Sequence, residues 1–315
     1  MPESNVLEMQ SYSRSLKLMG NNFTLTVVDE DQVAAGQHID AAVAEISRIE
    51  QLLTTFKPES QTNQINTSAG IAPVVVDREV FELIERSIAI STLTQGAFDL
   101  TYGSIDKSLW NFDKSMTELP SAATALKMVH LINYKNILLD KTNSSVFLKE
   151  KGMRIGFGGI GKGYAAERAR KILIDRNVSN GIINASGDLT TWGNQPNGKP
   201  WTIGIANPDY PEAAFSYIDI SNKAVATSGN YEKFVMIGGK KYSHTIDPKT
   251  GLPISGIKSV TVISNNAEFA DAMATPIAVM GIQAGLYLID QIPNLYCIII
   301  DDNNKIYTSK NINLK

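Results

Sequence analysis

The chain has 315 residues, enough for about two domains of ordinary size or for one large domain. Hydrophobic residues make up 43% and charged residues 19%, which excludes a disordered, collagenous or coiled-coil chain. Lys and Arg number 29 against 32 Asp and Glu, so the net charge is −3. Because no basic cluster occurs, the sequence offers no electrostatic footprint for nucleic acid.

One cysteine, Cys297, lies in an apolar run that predicts a buried strand. A single cysteine can form neither an intrachain disulfide nor a cysteine-based metal site. No stretch approaches the roughly 18 apolar residues of a membrane span. The polar first ten residues are unlike a signal peptide. The sequence as it stands therefore predicts a soluble protein.

The first half of the chain predicts strands followed by helices. Residues 16–28 alternate apolar and polar side chains on both sides of Gly20, which predicts two strand segments with a bend. Between residues 31 and 56, apolar side chains recur with the spacing of a long amphipathic helix packed on that sheet. Two further helices are predicted over residues 78–94, closed by Gln95-Gly96, and over residues 121–132.

The second half of the chain changes its period. Residues 145–157 predict a hairpin with a turn at 150–152, and the glycine-rich residues 158–163 lead into a helix over 164–175. Strands are expected at residues 181–184, 201–205, 217–220, 233–237 and 240–243, with a last pair near Cys297 and Ile306, and a helix at 268–280. Since helices and strands do not alternate strictly, we predict an α+β fold rather than a doubly wound α/β fold.

The glycine loop offers several interpretations. Residues 156–161 match the G-x-G-x-x-G fingerprint, but the strand before it belongs to a predicted hairpin and Asn184 stands where an acidic ribose ligand is needed, which disfavours a Rossmann site. Gly163 replaces the Ser or Thr of a P-loop. Exposed backbone amides, Lys162 and a helix N-terminus still favour an anion, most simply a phosphate. A tight packing turn is the alternative.

A second candidate region surrounds His244, at a strand end that runs into a Pro-Gly turn. Asp247 follows three residues later, so its carboxylate could orient the imidazole for acid–base chemistry. The run Asp-Pro-Lys-Thr-Gly is equally good turn chemistry, with Asp247 as the cap. Both interpretations stay open at this point.

Asp271 and Thr275 stand at positions i and i+4, so their side chains share one helix face. Carboxylate and hydroxyl oxygens suit Mg²⁺, which takes few protein ligands and completes its octahedron with water and phosphate oxygens. Alternatively, the Asp complements the helix dipole and the Thr bonds back to a carbonyl. Taken alone, the pair favours this structural interpretation.

Several motifs in fixed order together resemble the FAD:protein FMN transferase (ApbE-like) family, from Leu18 to the C-terminus. One such motif is weak, but the ordered series is specific. The matching segments are Met19-Gly20, residues 54–56 and 60–66, Gly96-Ala-Phe-Asp99 with Thr101 and Gly103, residues 158–163, Ser186-Gly-Asp188, and residues 228–232, 244–248 and 270–275.

This resemblance implies one ApbE-like domain over residues 1–315, with lobes at about 15–145 and 146–315 and FAD between them. It implies Mg²⁺-dependent cleavage of FAD, with FMN joined through its phosphate to a Thr or Ser hydroxyl of a target flavoprotein and AMP released. The family's own acceptor run is absent from this sequence. The acceptor is therefore expected to be another chain.

The resemblance also implies roles for individual residues. The main-chain oxygen of Gly159 and the side chains of Asp271 and Thr275 would hold the metal. His244, Asp271 or Asp247 would accept the proton of the attacking hydroxyl, and Lys162 would lie near the phosphates. The residues expected around FAD are Met19, Phe56, Ala97, Phe98, Asp99, Gly156, Lys162, His244 and Thr245.

Some positions depart from the family pattern. Gly156 stands where an Asp is usual, and Phe56 replaces a Tyr, keeping a stacking face but losing a hydroxyl. Ser186 for Gly and Asn230 for Asp are milder changes. Since none of these alters the expected metal set, we predict transferase activity with altered FAD affinity.

Three alternative functions use the same residues: an Mg²⁺-dependent FAD pyrophosphatase that yields FMN and AMP, a non-catalytic flavin carrier, and an NAD-dependent oxidoreductase built on the loop at 156–161. Family members are commonly exported, often as lipoproteins. The resemblance therefore implies an exported, periplasmic or outward-facing membrane-anchored protein whose leader is absent from this chain. A cytoplasmic form is the alternative.

Overall fold

A computed structural model describes residues 8–108, 110, 116–207, 214–229, 234–310 and 312. The strands are β1 (Gln10–Leu18), β2 (Asn21–Asp29), β3 (Val74–Val75), β4 (Ile137–Asp140), β5 (Ser145–Leu148), β6 (Gly181–Ala185), β7 (Asp188–Trp192), β8 (Trp201–Ala206), β9 (Ala214–Ile220), β10 (Ala224–Gly229), β11 (Phe234–Ile237), β12 (Lys240–Ser243), β13 (Ile257–Ser264), β14 (Tyr296–Asp301) and β15 (Ile306–Thr308). The helices are α1 (Gln32–Leu53), α2 (Gln61–Thr67), α3 (Arg78–Leu93), α4 (Ala122–Met128), α5 (Gly161–Asp175), α6 (Ala267–Met280) and α7 (Ile282–Ile289).

An eight-stranded sheet in the order β1-β2-β6-β7-β10-β13-β14-β15 forms the framework. Its neighbouring strands pair antiparallel. A small sheet β3-β5-β4 and the ribbons β8-β9 and β11-β12 accompany it. This mixture of antiparallel sheets and helices confirms the predicted α+β class.

Alternation along the strands of the eight-stranded sheet places their side chains in two different cores. In β10, Ala224 and Ala226 belong to the main core, which also contains buried residues of α1, α5 and α6. Val225 between them belongs to a second core with Trp201 and Ile218 of the β8-β9 ribbon. Successive side chains of a strand point to opposite faces. The helices therefore cover one face of the sheet, and the ribbon covers part of the other.

The opening strands and first helix follow the sequence prediction closely. Leu18 pairs with Asn21, and the two turn residues Met19 and Gly20 have φ values of 50° and 73°. Two-residue turns with positive φ match the twist of a β-hairpin. Asp31 then caps α1 by accepting bonds from the first amides of the helix. The predicted strands and long helix are confirmed.

The hairpin predicted over residues 145–157 is wrong in its second half. β5 pairs instead with β4, which the sequence analysis missed. Residues 153–157 form no strand. The amide of Ile155 donates to the Asn66 side chain at 2.7 Å, which donates back to the carbonyl of Ile155 at 3.0 Å. Residues 153, 155 and 157 are buried, as the alternation predicted, but the hydrogen bonds to Ile155 come from the Asn66 side chain instead of a neighbouring strand.

Other boundaries also differ from the predictions. Helix α4 ends at Met128, well before residue 132, and α5 begins at Gly161, within the glycine loop. Strands β7, β10 and β13 and helix α7 were missed. The predicted strand at 233–237 is confirmed from Phe234 onward, and residue 233 lies outside the described residues.

Residues on both sides of position 145 share one sheet and one core. Strand β2 pairs with β6, and α1 packs beside α5 in the main core. The lobes predicted at about 15–145 and 146–315 stay a prediction. Strands β1 and β2, which precede residue 145, belong to the same sheet as β6, and α1 belongs to the same core as α5.

In the part of the chain that the structure describes, no helix combines the length and apolar character needed to cross a membrane.

Candidate active site

The first turn of α5 packs tightly against α6. A Cβ atom at Gly163 would collide with the main-chain oxygen of Ala267 and lie 2.8 Å from the Cβ of Asp271. The amide of Gly163 donates to the Oδ2 atom of Asp271 at 2.9 Å. Gly163 is therefore required for the approach of the two helices. At this end, the glycine loop is a packing turn.

The preceding part of the same loop is open. A Cβ atom at Gly158 would meet nothing within 4 Å, and one at Gly159 would meet only the ring of Phe98, at 3.5 Å. A Cβ at Gly156 would meet only Thr55, at 3.9 Å. These glycines thus leave room for a ligand to approach the backbone.

A dinucleotide fold of the Rossmann type is excluded within the described residues. The residues before the loop form no strand, and β6, which follows α5, pairs antiparallel with both β2 and β7. A G-x-G-x-x-G loop binds a dinucleotide in that way only within a parallel βαβ unit. The NAD-dependent alternative therefore loses its structural basis.

Lys162, which is half-buried, and the buried carboxylates Asp188 and Asp271 form a cluster of charge beside this packing turn. The ammonium of Lys162 contacts the Oδ2 atom of Asp188, and the amide of Thr227 donates to the other oxygen at 3.2 Å. Asp188 is 3% exposed and Asp271 is 7% exposed. The cluster joins the start of α5 to β7, β10 and α6.

Burial and, second to it, the negative charge of Asp188 raise the pKa of Asp271 to about 7. Lys162 and the amide of Gly163 oppose this rise because they stabilise the carboxylate. A carboxyl group that is half protonated near pH 7 has neighbours that do not offset the cost of burying its negative charge. A cation at this position would stabilise its charged form.

Thr275 lies one turn after Asp271 on α6. Its hydroxyl donates to the Oγ atom of Ser228 at 3.2 Å, not to a carbonyl of its own helix. Ser228 belongs to β10, next to Thr227. Of the two predicted metal-ligand side chains of α6, Asp271 therefore contacts the start of α5 and Thr275 contacts β10.

Within the described ranges, no group of three or more His, Cys, Asp or Glu side chains is arranged to hold a metal ion. The predicted set is of another kind, because it uses one carboxylate, one hydroxyl and one main-chain oxygen. Gly159, which would supply that oxygen, lies in the open turn just before α5.

The turn at Ala97, Phe98 and Asp99 approaches the glycine loop from α3. Phe98 is buried with its ring edge against Gly159. Asp99 accepts bonds from the amide and hydroxyl of Thr101 at 2.8 and 2.6 Å and from the amide of Tyr134 at 2.9 Å. These bonds fix the turn, while burial raises the pKa of Asp99. A contact of Asp99 with FAD stays a prediction.

Met19 lies in the turn between β1 and β2, and Phe56 follows the end of α1, next to Thr55, which lies near Gly156. Met19 adopts a positive φ, and its amide donates to the carboxylate of Glu50 at 3.0 Å. Its Cε atom would lie 3.6 Å from a Cβ at Gly161. The positive φ belongs to the β1-β2 hairpin turn, and a contact of Met19 with FAD stays a prediction. Phe56 is 93% exposed, as suits a ring available for stacking.

His244 follows β12 directly and is exposed, with Thr245 half-buried behind it. The amide of Ile246 donates to the Tyr102 hydroxyl at 3.2 Å, which ties this turn to the segment after Asp99. The Asp247 carboxylate accepts the amide of Lys249 and the hydroxyl of Thr250, at 2.9 and 3.1 Å. Asp247 thus caps its turn, and its predicted action on His244 stays a prediction.

Two groups of predicted residues thus come together. Lys162 and Asp271 lie together at the start of α5, and Thr275, one turn after Asp271 on α6, contacts Ser228 of β10. The segment that contains Ala97, Phe98 and Asp99 lies beside the 244–251 turn, through Gly96 and Tyr102, and the Phe98 ring lies against Gly159 of the glycine loop.

Sequence reasoning gave no role to Asp188 or Ser228, although both lie in segments that match the family. A Ser-Gly pair stands at both places, Ser186-Gly187 directly before Asp188 and Ser228-Gly229, and could have drawn attention to these residues. Asn230, one of the noted departures, lies outside the described residues.

Comparison with known proteins agrees with this α+β fold. The family model described as "ApbE family" matches residues 19–299. The chain belongs to the ApbE family. It is 34% identical over 300 residues to a Klebsiella pneumoniae protein named FAD:protein FMN transferase, covering 95% of this chain and 92% of that one.

Solved structures show the same fold. The ApbE protein of Thermotoga maritima superimposes with a TM-score of 0.84 at 31% identity, covering 96% of this chain and 97% of that one. The apo flavinyl transferase ApbE of Pseudomonas stutzeri gives a TM-score of 0.83 at 24% identity, covering 97% and 96%. At that identity, the second likeness concerns the fold alone.

Proposed function

We propose that this protein is an Mg²⁺-dependent FAD:protein FMN transferase. It cleaves the pyrophosphate of FAD, joins FMN through its phosphate to a Thr or Ser hydroxyl of a target flavoprotein, and releases AMP. Family membership and the names of the relatives support this proposal. The observation that carries it is the cluster of Lys162 with the buried carboxylates Asp188 and Asp271, close in the chain to the open turn at Gly158 and Gly159.

The residues present fit a magnesium ion. The donors available are a buried carboxylate, a hydroxyl and a main-chain oxygen, which are the hard ligands that Mg²⁺ prefers. The raised pKa of Asp271 beside Asp188 indicates a carboxylate that a cation would stabilise. Asp271, Thr275 and the main-chain oxygen of Gly159 would hold the ion. When bound, Mg²⁺ neutralises charge on the phosphates.

The protein's own residues would position the reactants. Phosphoryl transfer depends mainly on alignment and charge neutralisation. Lys162 would supply a fixed positive charge, and Phe56 and Met19 would contact the flat rings of FAD. His244, Asp271 or Asp247 would take the proton of the attacking hydroxyl. The P–O bond to AMP breaks, the new P–O bond joins FMN to the acceptor, and AMP takes the electron pair.

One experiment tests the proposal directly. The protein is incubated with FAD, Mg²⁺ and a flavoprotein that carries a candidate Thr or Ser, and the acceptor is weighed by mass spectrometry. We expect the acceptor to gain one FMN unit while AMP appears in equal amount, and we expect EDTA or Asp271→Ala to abolish both.

Other outcomes identify the alternatives. Free FMN and AMP without a change in acceptor mass would show a pyrophosphatase and overturn the transferase proposal. FAD binding without AMP release, unchanged in Asp271→Ala, would show a flavin carrier. An acceptor whose Thr or Ser is replaced by Val or Ala is the matched control, because it keeps the fold and removes the attacking hydroxyl.

We propose further that the protein acts outside the cytoplasm, either free in the periplasm or anchored to the membrane by a lipid. The resemblance to a family with many exported members supports this proposal. Expression from the gene with its upstream codons, followed by fractionation and protease treatment of intact cells, tests it. Recovery of the whole pool in the cytoplasm would contradict it.

A further inference from the structure

We propose that Asp188 is a positioning residue for Lys162, holding the ammonium beside the phosphates of the substrate and away from Asp271. This inference rests on the proposed function and deepens it. It gives a role to a residue that touches neither FAD nor the metal in the arrangement described above.

Asp188 is held rigidly. It is the first residue of β7 and follows a two-residue turn, in which Ser186 and Gly187 have φ values of 57° and 101° and Ala185 pairs with Asp188. The side chain is almost fully buried, and both oxygens are engaged, one by Lys162 and one by the Thr227 amide. The carboxylate is therefore fixed to two neighbouring strands of the central sheet.

Lys162 needs such an anchor. A lysine ammonium sits on a flexible four-carbon chain that samples many rotamers when it is unpaired. The Lys162 side chain remains 25% exposed, so burial alone does not fix it. Its ion pair with Asp188 connects the second residue of α5 to β7 and selects one position for the charge.

The cluster also explains why a second carboxylate is useful. Lys162 attracts the charge of Asp271, the predicted metal ligand, as well as that of Asp188. Without Asp188, the ammonium would be drawn to Asp271 and compete with the metal there. Asp188 therefore keeps one carboxylate for the lysine and leaves the other for the cation.

The test uses Asp188→Asn, in which a side-chain oxygen can still accept the Thr227 amide while the charge is lost. We expect kcat for AMP release from FAD to fall roughly 10- to 100-fold, because fixed charge acts mainly in the transition state. The KM for FAD should change less than about threefold. When Asp188→Asn is added to Lys162→Ala, kcat should fall by less than about a further threefold, because Asp188 acts through Lys162.

A second readout does not depend on activity. Acetylation of Lys162 by a small reagent, followed by peptide mass spectrometry, reports how firmly the ammonium is held. We expect Asp188→Asn to raise its rate at least about threefold, since the lost pair frees the side chain. Lys171, paired with Asp175 on the outside of α5, should react at an unchanged rate.

Asp301→Asn is the matched control. Asp301 is also a buried carboxylate that accepts backbone amides, but it lies at the end of β14 and contacts none of the cluster residues named here. Its kcat should equal that of the wild type. Thermal unfolding of each variant shows whether a loss reflects misfolding.

Two results would overturn the inference. One is a loss of kcat in the double variant equal to the product of the losses in Asp188→Asn and Lys162→Ala. The other is an acetylation rate of Lys162 that is the same in Asp188→Asn as in the wild type. A wild-type protein that releases no AMP from FAD would instead defeat the proposed function. Wild-type activity together with an unimpaired Asp188→Asn variant would defeat only the inference. The two failures are therefore distinguishable.

Discussion

The two ends of the glycine loop contain the same type of residue in different environments. At Gly163, the absent side chain lets α5 approach α6, and the amide is already bonded to Asp271. At Gly158, the space beside the backbone is open. A glycine-rich loop at a helix N-terminus is therefore not uniformly a ligand cradle, because part of it can be required for packing. We call these parts the packed end and the open end.

The largest expected effect tests the packed end. Gly163→Ala places a methyl group against the backbone of α6, which can move little, so we expect a loss of about 3 kcal/mol or more in unfolding free energy. Urea unfolding monitored by circular dichroism measures it. A loss below about 0.5 kcal/mol would contradict the tight packing described for this end.

Asp271 links the packed end to charge. In EDTA at pH 8, we expect Asp271→Asn to raise the unfolding free energy by about 2 kcal/mol, since the buried charge is removed. The native carboxyl keeps its proton up to about pH 7, whereas the unfolded one loses it near pH 3.9. The contribution of Asp271 to wild-type stability should therefore fall as pH rises between these values.

Below about pH 4 the wild-type carboxyl is protonated in both states, so the gain from Asp271→Asn should vanish there. Unfolding curves of both proteins over pH 4 to 8 check this. Added Mg²⁺ should narrow the difference at pH 8 by stabilising only the wild type. A difference independent of pH would contradict the raised pKa.

Gly158→Ala tests the open end. The new methyl group meets no protein atom, so stability should change by less than about 0.5 kcal/mol. If FAD approaches the backbone here, its affinity in the presence of Mg²⁺ should fall roughly fivefold to tenfold. Fluorescence titration of the flavin measures it. Gly36→Ala on α1, also in open space, is the matched control and should leave FAD affinity unchanged.

The smallest effect concerns the outer side of the same first turn. Tyr164 donates its hydroxyl to Glu79 of α3, which also binds Arg48. Because this ion-pair network is partly exposed, we expect Tyr164→Phe to cost about 1 kcal/mol or less in unfolding free energy and to leave kcat and KM unchanged. If Tyr164→Phe kept wild-type stability but lost much of its activity, the contact between Tyr164 and Glu79 would contribute to the active site.

Much of the fold could be predicted from local pattern. The turn at Met19 and Gly20, the periodicity of α1 and the i, i+4 pair on α6 all appear in the structure. The failures have physical causes. Residues 153–157 alternate like a strand, but Asn66, 89 positions before Ile155, supplies the hydrogen bonds. A distant side-chain partner leaves no local signal.

The sequence by itself determined the composition class, the turns and the helix periodicity, because turns and periodicity depend on residues close together in the chain. It also determined the motifs that mark the family, since each motif is short and their order can be seen directly in the sequence. Only the tertiary structure decided that Lys162 meets Asp188, 26 positions away, and that Gly163 meets Asp271, 108 positions away. It also decided which glycines pack and which stay open. Such contacts follow from how helices and strands pack as a whole, since burial selects partners without regard to their separation in sequence.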